Sequence, residues 1–275
     1  MSRNRRALPG FGLSFGVTMS YVGFIVLIPM FSLTLQAVDV GFGGFWRTVT
    51  DPRILASCKV SLQCSLAAAL INSVFGTMLA WVLVRYRFPG RRLIDSLVEL
   101  PFALPTAVAG IALTALTVDK GWIGGPLATL GLRVAYTRLG IVVALVFITL
   151  PFVVRAVQPV LEQLPKDYEE AGRLLGAKPG RIFLRVILPE IKLALLTGFS
   201  LAFARGLGEY GSVIFIAGNK PYQTETAPLM IVTRLEEFLY GEATALAVAL
   251  LAVSFIMMFF INRLQIRAAA FAGER

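Results

Sequence analysis

The sequence contains no histidine and only two cysteines, Cys58 and Cys64. The absence of histidine excludes a Ser-His-Asp arrangement and the commonest general base, and two cysteines without histidine do not make a zinc cluster. Both cysteines lie at the start of a long apolar run, where small, buried and inert thiols are the ordinary interpretation. We therefore expect no catalytic residue and no metal or cofactor site in this chain.

Charged residues are also scarce, at 15% of the chain, whereas 57% of the residues are hydrophobic and the mean hydropathy is +0.76. A membrane-spanning helix needs roughly 20 apolar residues. Six runs of this kind occur, at about 14–36, 60–84, 96–118, 139–160, 193–218 and 243–262. They are too long and too uniformly apolar for the strands of a transmembrane barrel. The sequence predicts an all-α polytopic membrane protein with six transmembrane helices.

The first apolar run has two possible interpretations. Arg3, Arg5 and Arg6 precede it, as basic residues precede the apolar part of a cleaved signal peptide. The run continues, however, for more than 20 residues and contains no clear small-residue cleavage site. These features favour a retained first span.

The net charge of +10 is unevenly distributed along the chain. With six spans and the N-terminus inside, 17 of the 26 Lys and Arg residues lie on the inner side, eight lie outside, and Arg205 lies within a span. This positive-inside bias predicts that both termini are cytoplasmic and that the protein resides in the bacterial cytoplasmic (inner) membrane. The basic charge is then explained by membrane lipid, and no nucleic-acid partner is needed.

We divide the chain into three parts. Residues 1–58 would form a cytoplasmic tail, the first span and an external loop; residues 59–263 the main transmembrane domain; and residues 264–275 a cytoplasmic tail. The main domain includes a cytoplasmic loop at 161–192. The chain contains no G-x-x-x-x-G-K-[ST] motif, so it has no Walker-type nucleotide site.

The cytoplasmic loop contains a polar segment, residues 169–189, with helical periodicity. Tyr168, Ala171 and Leu175 recur at helical spacing and define one apolar face. Gly176 is placed to end this helix in a left-handed conformation, and a second short helix would begin at Pro179 and end at Pro189. Such a pair of amphipathic helices suits either the membrane surface or a groove on another protein.

The same segment resembles the "EAA" loop of ABC importer permeases, whose pattern is Glu-Ala-Ala, three residues, Gly, nine residues, Ile, one residue, Leu-Pro. The matching residues here are Glu170, Ala171, Gly172, Gly176, Val186, Leu188 and Pro189. Gly172 replaces the second Ala and Val186 replaces Ile, both with residues of like character. The resemblance implies a type I ABC importer (MetI-like) permease fold, in which this loop docks on a separate ATPase subunit.

Two further segments, 85–113 and 204–219, closely resemble the T-type permeases of the sulfate/thiosulfate ABC importer, as does nearly the whole chain. The resemblance implies a complex with a homologous W-type permease, two ATP-binding subunits and an external sulfate-binding protein. ATP would then be bound by the partner subunits. Molybdate or tungstate permeases share the loop and are the alternative. A free-standing secondary transporter would require paired half-repeats, and none is evident.

Several polar or helix-breaking residues lie inside the predicted spans. Pro101 and Pro105 remove backbone donors, so the third span should be kinked or broken. Placing Arg205 or Glu209 at a helix centre costs about 2.5–3.5 kcal/mol, whereas an i,i+4 ion pair returns only about 0.2–0.5 kcal/mol. The pair should therefore avoid lipid. It either ties helices together or lines an anion path, for which the candidates are Arg205, Glu209, Ser212, Thr106 and Pro105.

Overall fold

The computed structural model describes residues 11–273, which form α-helices interrupted by two π-helical turns. In chain order the elements are α1 (Phe11–Val22), a π-helical turn (Gly23–Leu27), α2 (Ile28–Asp39), α3 (Gly41–Val49), α4 (Pro52–Arg85), α5 (Arg91–Val98), α6 (Leu100–Ala103), α7 (Thr106–Thr117), α8 (Gly124–Thr129), α9 (Arg138–Gln163), α10 (Asp167–Leu174), α11 (Pro179–Ile182), a second π-helical turn (Phe183–Ile187), α12 (Leu188–Leu207), α13 (Val213–Ile216), α14 (Ala227–Glu236) and α15 (Tyr240–Gly273). The predicted all-α class is confirmed. Arg3, Arg5 and Arg6 lie outside the described residues.

Five helical segments among the described residues are long and apolar enough to cross a membrane. They are Phe11–Gln36, Pro52–Arg85, Arg138–Gln163, Pro179–Leu207 and Tyr240–Arg263. The second begins earlier than the predicted residue 60 because Asp51 caps it, its side chain accepting hydrogen bonds from the backbone N–H groups of Arg53 (2.8 Å) and Ile54 (3.2 Å). The predicted third span is not one long helix, so the count of six spans and the cytoplasmic termini stay predictions.

The third predicted span is broken at both of its prolines, as expected. Pro101 lies in the first turn of α6, which is separated from the end of α5 at Val98 by Glu99 alone. Leu104 and Pro105 then adopt extended backbone conformations, with ψ of 135° and 131°, before α7 begins at Thr106. A proline is tolerated in a helix's first turn and blocks helical continuation from the residue before it. The segment is thus three helices in series, α5, α6 and α7.

The core of the bundle is formed by α4, α9 and α12, which meet at Val153 in α9. A β-carbon on Gly198 of α12 would lie 2.9 Å from the Val153 Cα, and one on Gly76 of α4 would lie 3.0 Å from a Val153 methyl group. Val153 is fully buried. Small residues therefore allow close helix contact at this point, as in other membrane bundles. Asn72 of α4 also donates hydrogen bonds to the Thr149 hydroxyl (2.8 Å) and the Val146 carbonyl (2.9 Å) of α9.

The first long segment lies at the edge of the bundle. No residue of its most apolar window is buried, and its second half, α2, packs against α15. The two ends of the bundle differ in their polar contacts. We call them the Arg85 end, which also carries the polar segment, and the Glu225 end, where Arg53 and Glu225 form an ion pair of 2.6 Å.

The second helix of the polar segment does not end at Pro189, and that prediction was wrong. Helical structure continues from Pro179 to Leu207, with the π-helical turn at Phe183–Ile187 and Pro189 in the next turn. In this turn the Leu188 N–H donates to the carbonyl of Phe183, five residues back. The extra residue changes the hydrogen-bond register just before the proline, which cannot donate. A local change of helix type thus accommodates Pro189 without a break.

Candidate functional site

The polar segment begins within α10, and two residues after the end of this helix Gly176 adopts the predicted left-handed conformation. Gly176 has φ of +77°. Its N–H donates to the Arg173 carbonyl (2.9 Å), and the Ala177 N–H donates to the Gly172 carbonyl (3.0 Å). These two bonds are those of a Schellman motif, which satisfies the last carbonyls of a helix. The corner between α10 and α11 is therefore a defined structure.

One side of α10 presents apolar side chains to the surroundings. Leu174 and Leu175 are 90% and 87% exposed, and Tyr168 is also more than half exposed. Glu170 and Ala171 are exposed as well. The predicted apolar face therefore lies on the outside of this chain, together with an acidic side chain. Exposed leucines of this kind are characteristic of a surface that is covered by lipid or by another protein.

The other side of α10 is attached to the bundle by Glu169, which the sequence analysis did not single out. Its carboxylate lies 2.6 Å from the Arg85 Nε at the end of α4, and the two side chains are only 10% and 8% exposed. The Arg85 guanidinium also donates to the Leu164 carbonyl (3.1 Å). This ion pair fixes α10 against α4. Because its partners are 84 residues apart, no local pattern in the sequence could reveal it.

The packing at Gly172 leaves little room for the methyl group that the EAA pattern has at this position. A β-carbon on Gly172 would lie 3.1 Å from Ile182 Cγ1 and 3.3 Å from Ile182 Cδ1. Ile182, at the end of α11, is buried. The Ile182 side chain therefore fills the space against α10. Of the other matched positions, Leu188 is half-buried and Pro189 is exposed at the start of α12.

A second group of predicted residues lies where two broken helices meet inside the bundle. The first break, at Leu104–Pro105, precedes α7, and the second, after Leu207, separates α12 from α13. A β-carbon on Gly211 would collide with the Thr106 side chain, and one on Gly110 would collide with the Ser212 backbone. The two interruptions are therefore in direct contact. Non-helical backbone at membrane depth is tolerated where it is buried in protein or lines a hydrated cavity.

Glu209 is the buried centre of the second break. Its side chain is 2% exposed, and one carboxylate oxygen accepts hydrogen bonds from the Ser212 N–H and hydroxyl, each at 2.9 Å. The other oxygen pairs with Arg205, whose side chain is 36% exposed. Glu209 is therefore shielded within this chain, whereas Arg205 is partly exposed, and the prediction that the pair avoids lipid stays a prediction. Glu209 stabilises the loop through its contacts with Ser212.

Charged and hydroxyl side chains lie around the two helix breaks, and the Arg205 charge is balanced by Glu209. Arg205 supplies a positive charge, and Thr106 supplies a half-buried hydroxyl at the start of α7, beside the exposed Pro105. The free N–H groups of a helix's first turn favour negative charge. Among the described residues, no group of three or more Cys, Asp or Glu side chains is arranged to hold a metal ion. Cys58 and Cys64 are free, half-buried and buried respectively.

Comparisons with known proteins agree with this architecture. Residues 72–269 match the family described as binding-protein-dependent transport system inner membrane component. The chain is 49% identical over 264 residues to the sulfate transport system permease protein CysT of Escherichia coli, covering 96% of this chain and 95% of that protein. Family members are permease subunits of the inner membrane and are not themselves enzymes.

Two solved structures share the fold. A bacterial alginate ABC transporter, in complex with a periplasmic protein bound to an alginate pentasaccharide, has a chain that is 19% identical and superposes with a TM-score of 0.76, covering 93% of both chains. The MetNI methionine ABC transporter has a chain that is 17% identical with a TM-score of 0.59, covering 78% of this chain and 95% of that one. The present chain therefore has an ABC importer permease fold and belongs to the binding-protein-dependent transport system inner membrane components, in the group of the CysT sulfate transport permease proteins.

Proposed function

We propose that this chain is a permease subunit that carries sulfate, and also thiosulfate, across the inner membrane in an ATP-driven importer. The observation that carries this proposal is the 49% identity to the Escherichia coli sulfate permease over nearly the full length of both chains. ATP is bound and hydrolysed on two partner subunits, and this chain binds no cofactor. A half-exposed arginine beside a broken helix is consistent with an anionic solute.

In this proposal the polar segment docks on one ATPase subunit. Glu170, Ala171, Gly172 and Gly176 lie in α10 and its cap, and Leu188 and Pro189 begin α12. Support comes from the exposed Leu174 and Leu175, which suit a groove on a partner, and from the buried Arg85–Glu169 ion pair, which attaches α10 to a long membrane helix. A docked partner that moves α10 would thereby also move α4.

The anion path would lie along the contact between the two broken helices. We assign Arg205 and Thr106 as the groups that face the anion. Pro105 breaks the helix beside them. Glu209 and Ser212 hold Arg205 in position. A homologous W-type permease would complete the path. The apolar side chains of α6 and α7, among them Phe102, Val108 and Ile111, are exposed in this chain and are available for such a partner.

Solute would be delivered by an external sulfate-binding protein. A periplasmic protein is part of the alginate transporter complex that shares this fold. Much of the selectivity would then reside in the binding protein.

The experiment that tests the function is ATP-dependent uptake by the purified complex reconstituted in vesicles. The chain is expressed with its neighbouring genes, and radiolabelled sulfate is offered with thiosulfate or molybdate as competitor. We expect sulfate uptake that thiosulfate competes with and molybdate does not. Uptake of molybdate in preference to sulfate would establish the alternative, and purification without any ATPase subunit would contradict the importer.

Docking of the polar segment is tested by placing charge on its exposed face. Leu174→Asp and Leu175→Asp should abolish co-purification of the ATPase subunit while the chain still inserts in the membrane. Leu130→Asp, at another strongly exposed leucine in the loop that precedes α9, is the matched control. Normal co-purification of the ATPase subunit with the Leu174 and Leu175 variants would instead place this face on the membrane surface.

A further inference from the structure

A basic cavity lies at the Arg85 end, between α4 and α5, apart from the polar segment and the helix breaks. It has a volume of about 530 Å³ and is lined by Arg87, Phe88, Gly90, Arg91, Arg92 and Asp95. A tight turn shapes it, in which the Arg91 N–H donates to the Phe88 carbonyl (3.3 Å) and Gly90 has φ of +82° and ψ of 0°. With Pro89 before Gly90, this is a type II turn, which brings Arg91 close to Phe88, and Arg87 directly precedes the turn.

The three arginines of this cavity have no acidic partner among the described side chains. Among the residues that the structure describes, no carboxylate forms an ion pair with Arg87, Arg91 or Arg92. The one acidic residue of the lining, Asp95, is held by Arg155 of α9 at 2.7 Å. The cavity therefore offers positive charge and guanidinium donors, which suit a phosphate group bidentately.

The helix that leaves this cavity is amphipathic. Leu93, Ile94 and Leu97 of α5 are exposed, whereas Val98 is buried in the core. A short helix with exposed leucines beside an arginine cluster is typical of the membrane interface, where acyl chains cover the apolar side and headgroups contact the basic residues. A soluble anion would use the arginines but would leave these apolar side chains uncovered.

We propose that the cavity lined by Arg87, Arg91 and Arg92 binds the phosphate headgroup of an anionic phospholipid, whose acyl chains lie along α5. Basic pockets beside membrane helices are suited to such headgroups. The site is connected to the helix breaks, because Arg155 binds the Asp95 side chain and also Glu99 (2.9 Å) at the junction of α5 and α6. Lipid bound here holds the α5–α6 arm that leads to Pro105, and so influences the rate of transport.

The first test measures lipid binding and does not depend on which solute is carried. The purified complex is titrated with phosphatidylglycerol in mixed micelles, and bound lipid is counted by native mass spectrometry. The variant R87Q/R91Q/R92Q should bind phosphatidylglycerol on the order of 100-fold more weakly, since each of the three basic residues contributes about a fivefold factor at such a surface. The control Arg133→Gln, in an exposed loop next to α9, should bind as the wild type does.

Three results would overturn the proposal. Equal lipid binding by the triple variant would place the lipid elsewhere. Displacement of the lipid by millimolar inorganic phosphate would identify a soluble-anion site. A cross-link from Leu97→Cys to another protein of the complex, with none to a photoreactive phospholipid, would assign α5 to a protein partner.

The influence on transport rests on the proposed function and is measured separately, in vesicles of phosphatidylcholine alone and with phosphatidylglycerol added. We expect sulfate uptake by the wild type to rise with phosphatidylglycerol and uptake by the triple variant to show no such rise. An equal rise of sulfate uptake in the wild type and the triple variant would contradict the proposal that lipid bound in this cavity influences transport. An absence of sulfate uptake in every sample would contradict the proposed function and leave the binding result standing.

Discussion

Arg85 at the end of α4 and Glu169 in α10 form a buried ion pair, with 2.6 Å between the Arg85 Nε and the Glu169 carboxylate. It joins a membrane helix to the segment that we propose docks on the ATPase. Removing one partner of a buried ion pair leaves an uncompensated charge and costs about 3–5 kcal/mol. We therefore expect Glu169→Gln to loosen α10 from the bundle and to reduce uptake strongly. The measurements are sulfate uptake by the complex and the protease sensitivity of residues 166–178.

The matched control for Glu169→Gln is Glu190→Gln. Glu190 is exposed in the first turn of α12 and forms no ion pair among the described residues. It should retain uptake and protease resistance. Wild-type uptake by Glu169→Gln would show that the ion pair plays no part in coupling.

Gly176 is expected to tolerate asparagine and to reject valine. A β-carbon there would meet no atom within 4 Å, so the cost of a substitution comes from the positive φ alone. This cost is roughly 1–2 kcal/mol for an ordinary residue and is smaller for asparagine, which visits this conformation more readily. The measurement is the amount of ATPase subunit that co-purifies with Gly176→Asn and with Gly176→Val. Equal loss in both variants would mean that the glycine's small size matters rather than its conformation.

Substitutions at Arg205 and Glu209 should distinguish a role in anion transport from a role in assembly of the complex. Glu209→Ala leaves the Ser212 N–H and hydroxyl without their buried acceptor, at a cost of about 1–3 kcal/mol, and should lower the Tm of the solubilised complex. The double variant Arg205→Gln/Glu209→Gln leaves no unpaired buried carboxylate and keeps an amide oxygen as the acceptor for Ser212, so it should assemble normally and lose sulfate uptake. If the double variant failed to assemble, the ion pair would be a structural tie between helices and not part of the path.

The contact of α4, α9 and α12 at Val153 predicts two different responses to added methyl groups. Gly198→Ala meets the Val153 backbone and should destabilise the bundle by about 1–3 kcal/mol. Gly76→Ala meets the Val153 side chain, at 3.0 Å from Cγ1 and 3.1 Å from Cβ. Val153→Ala removes Cγ1 and keeps Cβ, so Gly76→Ala should lower the Tm less in a Val153→Ala background than in the wild type, whereas Gly198→Ala should lower it equally in both. Equal rescue of both would contradict the packing described.

Features encoded by neighbouring residues were predictable from the sequence. The left-handed end of α10 follows from Gly176 and the residues before it, and the breaks of the third span follow from Pro101 and Pro105. The cost of placing Arg205 and Glu209 in lipid predicted that the pair would be shielded; Glu209 is buried, whereas Arg205 is 36% exposed in this chain. Each of these inferences depends either on local backbone conformation or on the free energy of placing a charged side chain in lipid.

Contacts between distant parts of the chain were not predictable. The Arg85–Glu169 pair joins residues 84 positions apart, and Glu169 was overlooked because the neighbouring Glu170 matches the family pattern. The continuation of the helix through Pro189 was also missed. A proline usually ends a helix, and the π-helical turn that accommodates it lies between two residues buried in the core, Ile182 and Ile187, a setting that the local sequence does not reveal.

The uninterrupted helical path from Pro179 to Leu207 has a mechanical consequence. Its 29 residues make a rod of roughly 43 Å at about 1.5 Å per residue, with the corner at Gly176 near one end and Glu209 just beyond the other. We expect a displacement at the Gly176 corner to be transmitted along this helix, past its close contact with Val153 at Gly198, to the loop at Glu209.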